Sequence, residues 1–166
     1  MRRLILMRHG KSSWSDPGLR DHDRPLSKRG KRGAAAIAGW LKAKGYLPDH
    51  ALVSNARRTQ ETWAGVVKVT GPAPTAYVPE LYGAGEDAVL EVLRAAPDVE
   101  TLLVLGHQPG IGACAARLLA SPPGDADFAK YPTAATAVID FDLDAWSEAG
   151  WGRGKLADFV VPRALE

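Results

Sequence analysis

The groups in this chain that could handle an oxyanion fall in three places: Arg8-His9-Gly10, Arg57-Arg58, and His107 within Gly106-His107-Gln108-Pro109. A neutral imidazole is nucleophilic near physiological pH and can split a group transfer into two displacements through a covalent intermediate. Guanidinium forks hold anionic oxygens and spread the charge that develops on them, which is most of what phosphoryl transfer asks of a protein. No local His/Asp/Cys spacing suits a metal, and neighbouring arginines would repel a cation, so neither metal nor cofactor is expected. Taken one at a time, a strand-end histidine satisfied by local hydrogen bonds and a pair of solvated arginines are equally ordinary readings. The case rests on whether the fold brings these groups together.

The elements needed to do so are legible. Leu4-Ile5-Leu6-Met7 is a short apolar run ending at Arg8 and His9, the pattern of a strand buried on both faces. Gly10 permits a sharp turn there and is expected to bring backbone N–H groups close to a bound anion. Lys11 to Pro25 reads as a polar loop without elements, and Ser27 as the N-cap of a helix from about Lys28 to Lys44, stopped by Gly45. A second strand over Asp49 to Ser54 leads to a helix beginning near Ala56. Arg57 and Arg58 then lie in a first turn whose dipole disfavours cations, a conflict that a bound anion would relieve.

Thr75 to Val78 is a short strand, Pro79 to Gly83 a loop, and Glu86 to Ala96 a helix. Thr101 to Leu105 is the clearest buried strand and ends at Gly106-His107. Pro109 opens a helix with an apolar stripe of Ile111, Cys114, Ala115, Leu118 and Leu119, which makes Cys114 core rather than nucleophile. Ser121 to Pro132 reads as a loop. Ala137 to Leu143 and Lys155 to Val161 form a closing antiparallel hairpin. The fold class expected is α/β: a three-layer α/β/α sandwich around a mostly parallel sheet, one domain over residues 1–166. In such sheets ligands sit beyond the carboxyl ends of the strands, where Arg8, His9, Arg57, Arg58 and His107 all fall.

With 166 residues, 46% hydrophobic and 24% charged, the chain has the composition of a globular protein. One cysteine rules out an internal disulfide framework and fits a reducing compartment. The first apolar run is too short for a signal-peptide core and no stretch suits a membrane helix, so a cytoplasmic location is expected. Residues 1–33 hold ten Lys or Arg against three acids, and residues 80–100 six acids against one Arg. A basic mouth would attract a phosphorylated or acidic ligand. Nucleic acid is disfavoured, because no basic stripe is interleaved with aromatics.

Four segments in order resemble the histidine phosphatase superfamily, the phosphoglycerate-mutase-like branch. They are Arg8-His9-Gly10, Asp23-Arg24-Pro25-Leu26-Ser27-Lys28-Arg29-Gly30, Ser54-Asn55-Ala56-Arg57-Arg58-Thr59-Gln60-Glu61-Thr62, and Gly106-His107-Gln108-Pro109. Compact length and Pro79-Glu80-Leu81 look most like the SixA-type phosphohistidine phosphatases. The resemblance implies His9 as nucleophile, Arg8, Arg58 and His107 around the phosphoryl oxygens, and Glu80 as candidate proton donor. Arg58 rather than Arg57 stands four residues after Ser54, as the family pattern requires. Glu61 stands where the family has Gln, with Gln60 one place earlier. His107 would donate to the oxygens and so work best protonated. The implied reaction is metal-independent dephosphorylation through phospho-His9 of a phosphohistidine in a protein, or of a small phosphorylated metabolite. A binding module that kept the pocket and lost turnover is the reading from another class. Trp14, in the loop after His9, is the tryptophan placed to touch a substrate.

Overall fold

A computed structural model describes residues 1–166. Its centre is a six-stranded sheet in the order β3-β2-β4-β1-β5-β6. The strands are β1 (Arg2–Arg8), β2 (His50–Ser54), β3 (Thr75–Val78), β4 (Thr101–Gly106), β5 (Thr136–Phe141) and β6 (Gly154–Val160). The helices are α1 (Lys28–Lys44), α2 (Arg57–Thr70), α3 (Glu86–Arg94), α4 (Gly110–Leu118) and α5 (Ala126–Lys130). β3, β2, β4 and β1 are parallel. β5 runs antiparallel to β1, and β6 antiparallel to β5.

Successive side chains of each central strand enter opposite layers, which is why the strands read as unbroken apolar runs. Leu4, Leu6, Leu102, Val104, Ala137 and Ile139 pack with α3, α4 and Phe128 of α5. Ile5, Met7, Leu103, Leu105, Val53 and Val138 pack instead with Ile37 and Leu41 of α1 and Trp63 and Val66 of α2. The sandwich therefore has a core on each side of the sheet, and Cys114 is buried in the first of them.

Helix α1 begins where the sequence places it: Ser27 Oγ accepts from Gly30 N at 3.0 Å, and Gly45 ends it in the left-handed region with φ 76°. Several loops hold more structure than expected. Between Lys11 and Pro25 there is a one-turn 3-10 helix at Asp21–Asp23, and Ser12 pairs with Leu26 in an antiparallel bridge. Ser121 to Pro132 contains α5, capped by the Asp125 carboxylate on Asp127 N, and Pro79–Leu81 forms another 3-10 turn. Each is too short to show a hydrophobic period. β1 begins two residues before the apolar run, and β5 ends two residues early, at Phe141.

At the end of β1 the chain meets α1 backbone to backbone. A Cβ on Gly30 would stand 2.1 Å from Lys11 O, and one on Gly10 2.8 Å from Gly30 O. Only glycine fits at either position.

Candidate active site

The register of β1 and β4 builds the site. Arg8 pairs with Gly106, so the residues that follow, His9 and His107, leave the sheet side by side. His9 N donates to Gly106 O at 3.1 Å, and the two imidazole centroids lie 5.2 Å apart. Ser54, at the end of β2, reaches His107 with Oγ 2.8 Å from Nε2. Arg58 comes in from the first turn of α2 and is buried, whereas Arg57 is exposed and paired with Glu61 on the helix surface at 2.9 Å. Arg8 is held by Nη1 donating to Tyr131 O at 3.0 Å. Tyr131 is itself fixed, its hydroxyl donating to Leu6 O and accepting from Ala137 N across β1 and β5.

Hydrogen bonding decides which nitrogen of His9 can react. Nδ1 lies 2.6 Å from Gly10 O, and a carbonyl can only accept, so we assign the ring proton to Nδ1 and the free lone pair to Nε2. Burial, with Arg58, Arg8 and Arg24 adding to it, lowers the His9 pKa to about 4. The ring is therefore an uncharged nucleophile at neutral pH.

His107, expected to work best protonated when it donates to phosphoryl oxygens, stands neutral in the free site. Burial, then His9 and Arg58, push its pKa down to about 3, so the free site holds a neutral ring with one N–H. Ser54 Oγ takes the Ala56 N–H on one lone pair, and His107 Nε2 is the one partner that can accept its hydroxyl hydrogen, so we assign the ring proton to Nδ1. That Nδ1 and Arg8 Nε are the two buried side-chain polar atoms of the chain without a partner, and both belong to this pocket. Buried donors are ordinarily satisfied, so the pair marks a place built for an acceptor-rich ligand.

Gly10 requires a correction. Its N–H does not serve a bound anion, because it donates to Thr62 Oγ1 at 3.0 Å, and that hydroxyl donates on to Arg58 O at 2.7 Å. Gly10 acts through its carbonyl, which fixes His9, and through its missing Cβ.

The anion that relieves Arg58 is a carboxylate the sequence did not single out, that of Asp21. Its Oδ2 accepts from Arg58 Nη2 at 3.1 Å and from Tyr82 hydroxyl at 2.6 Å, its Oδ1 from Arg24 Nη1 at 3.1 Å, and its carbonyl from Arg58 Nη1 at 2.7 Å. These donors, Tyr82 first, hold its pKa down at about 2. The Tyr82 phenol is correspondingly raised by Asp21, and its ring packs edge-on against His107 with centroids 5.5 Å apart. Asp21 is one of several acids in a polar loop, so nothing in its spacing distinguishes it. Tyr82 has no better signal, standing in a short turn.

Glu80 stands exposed on the Pro79–Leu81 turn with no hydrogen bond or ion pair to other side chains. Gln60 turns away, donating to Asn55 O, and Glu61 ties Leu26 N to Arg57. Trp14 is 76% exposed and lies against the Arg24 guanidinium, 3.1 Å from carbon to ring centroid. Beside the pocket, and not lined by either histidine, is a cavity of about 450 Å³ that begins at Gly10 and Lys11 and is walled by Arg29, Arg32, Lys130 and Arg163. No group of three His, Cys, Asp or Glu side chains is placed to hold a metal.

The two depressed histidines make stability depend on pH. Between an ordinary value of about 6.5 and about 4 the unfolded chain binds protons that the folded one does not, so stability is full above that window and falls as pH drops through it. Urea midpoints at about pH 7 and pH 5 should show the loss, and His107→Gln should flatten the slope. An unchanged wild-type midpoint would contradict the burial of neutral rings.

Comparison with known proteins bears on the same residues. A family model described as the histidine phosphatase superfamily (branch 1) matches residues 4–83. An uncharacterised protein of Mycobacterium tuberculosis is 40% identical over 164 residues, covering 95% of this chain and 100% of the other. A structure from Nakamurella multipartitia, assigned as a phosphohistidine phosphatase SixA, superposes with a TM-score of 0.82 at 34% identity, covering 97% of this chain and 96% of that one. The protein histidine phosphatase SixA complexed with tungstate gives a TM-score of 0.80 at 26% identity, with 99% of each chain covered. No helix is long and apolar enough to cross a membrane.

Proposed function

The chain is a phosphatase of the histidine phosphatase superfamily, and we propose that it removes the phosphoryl group from phosphohistidine in a partner protein through a phospho-His9 intermediate. The observation that carries this reading is the pairing of a free His9 Nε2 with two orphaned donors, Arg8 Nε and His107 Nδ1, in one pocket. His9 Nε2 attacks phosphorus while Arg8, Arg58 and His107 hold the non-bridging oxygens, and water then cleaves phospho-His9. With both imidazoles neutral, Arg8, Arg58 and Arg24 against Asp21 leave two positive charges to meet a phosphoryl dianion. A dianion there would raise the His107 pKa, so the protonated donor expected of that ring belongs to the liganded site.

The choice of substrate rests on the leaving group. Asp21 is ionised, Tyr82 has its proton engaged with Asp21, and His107 directs its N–H to the non-bridging oxygens, so none of the three offers a proton to a departing alkoxide. A phosphohistidine protonated on its other ring nitrogen leaves as neutral imidazole and needs none. Glu80, exposed and unpaired two positions before Tyr82, is the carboxylate we assign to the attacking water. The basic cavity beside Lys11 would draw an acidic protein surface, and a protein side chain suits an open pocket. A cytoplasmic location is part of this proposal, and a single buried free thiol fits it.

Radiolabelled phosphate should be trapped on the protein as an acid-labile adduct, and a phosphorylated histidine domain should be turned over well ahead of a panel of sugar and nucleotide phosphates. Preference for one metabolite would redirect the reading to a small-molecule phosphomonoesterase, and absence of label would reduce the protein to a phosphate-binding module. The guanidinium groups already supply the positive charge a metal would bring, so treatment with a chelator should leave kcat unchanged within about twofold. A chelator-sensitive rate restored by a divalent ion would overturn that part.

A further inference from the structure

Asp21 is a fixed anion in a pocket otherwise lined by cations, and its acceptor capacity is not used up. An ionised carboxylate offers about four acceptor sites. Oδ2 takes Arg58 and Tyr82, and Oδ1 takes only Arg24. The side chain is 52% exposed, while Arg58, His9 and His107 below it are buried. One acceptor position on Oδ1 therefore has no partner from the chain, on a side chain that is half exposed beside Arg58 and Tyr82. Around it stand Arg58, Arg24, Tyr82 and His107, with His22 edge-on to Tyr82 at 4.8 Å between centroids and the Arg20–Asp23 pair on the same turn.

We propose that Asp21 is a specificity-determining residue, accepting a hydrogen bond from the N–H of a protonated nitrogen-heterocycle leaving group and so favouring N-linked over O-linked phosphoryl groups. Arg58 couples the two ends of the substrate, since its terminal nitrogens each use one N–H on Asp21 and keep another for the phosphoryl oxygens. In the reaction, His9 Nε2 gives its electron pair to phosphorus and the P–N bond breaks with its pair going to the ring nitrogen. The opposite ring nitrogen keeps the proton it carries, held against Asp21 Oδ1, and the ring departs neutral. No proton crosses between protein and substrate. A leaving group without an N–H gains nothing from the carboxylate and meets its charge unshielded.

This inference deepens the reading through phospho-His9 and rests on it. The experiment compares kcat/KM for a phosphohistidine peptide and for p-nitrophenyl phosphate in the wild type and in Asp21→Asn, which keeps an acceptor for Arg58 and Tyr82 and removes the charge. A hydrogen bond to a charged group predicts that the ratio of the two falls about tenfold or more, over and above whatever both substrates lose together as Arg58 loosens. Equal loss on both substrates would show that Asp21 only holds Arg58, and would overturn the proposal. Should Asp21→Asn melt early, Asp21→Ser serves, and the wild type gives a second readout. There 4-methylimidazole near pH 6 should tighten binding of inorganic phosphate while phenol does not, and equal behaviour of the two also overturns it. Acid-labile label on His9 reports separately on the broader reading, so an unchanged ratio with label present sinks Asp21 alone.

Discussion

His9→Asn lowers turnover by on the order of 10⁴-fold or more and abolishes the acid-labile phosphoprotein, the expected consequence of deleting a nucleophile from a unit that acts together. Asparagine is the sharper replacement than alanine. Its amide can still donate to Gly10 O, as Nδ1 does at 2.6 Å, and it has no counterpart of Nε2. The fold should therefore survive, with a melting temperature within a few degrees of wild type or above it, because a buried titratable ring is gone. Retained label in this variant would mean that another residue takes the phosphoryl group. His107, 5.2 Å away, would be the first to test.

Arg58→Ala should cost about 10³-fold in kcat, the lower end of what a transition-state arginine supplies, whereas Arg57→Ala should stay within about threefold. The two neighbours differ in where α2 aims them. Arg58 is buried with its terminal nitrogens on Asp21, and Arg57 makes an exposed pair with Glu61 worth roughly 0.3–0.5 kcal/mol. Arg58→Lys should recover little, because an ammonium cannot hold Asp21 and a phosphoryl group at once with fixed fork geometry. Steady-state rates on p-nitrophenyl phosphate with parallel melting curves separate lost chemistry from lost folding. Full activity in Arg58→Ala would remove this residue from the oxyanion pocket.

The parts of the molecule with a strong period or a backbone requirement were readable from the chain alone. The apolar runs at Leu4–Met7 and Leu102–Leu105 announced strands buried on both faces, and Ser27 and Gly45 bracketed α1 because capping is local chemistry. The convergence of His9 with His107 followed from two strands ending in Gly/His signals, and the register of β1 with β4 supplies it. Asp21 and Tyr82 stayed hidden because their importance arises from contacts 37 and 61 positions apart along the chain. The neutral state of His107 in the free site is illegible in the sequence for a related reason. Residue type suggests a cationic donor, and only three-dimensional burial beside Arg58 and His9 makes the charge unaffordable in the free site.

The backbone seam between the end of β1 and α1 has a consequence for how such a protein can diversify. Lys11 O is gripped by Ser27 N at 2.9 Å, Ser13 N by Pro25 O at 2.8 Å, and Gly10 and Gly30 abut with no side chain between them. The arch from Ser12 to Leu26, which carries Trp14 and Asp21, is thus riveted at both feet and, along its span, touches the pocket through the bonds of Asp21 to Arg58 and Tyr82. Such a segment can be swapped like a cartridge: a graft of another length or sequence would change what the entrance admits while the nucleophile beneath it stays where it was.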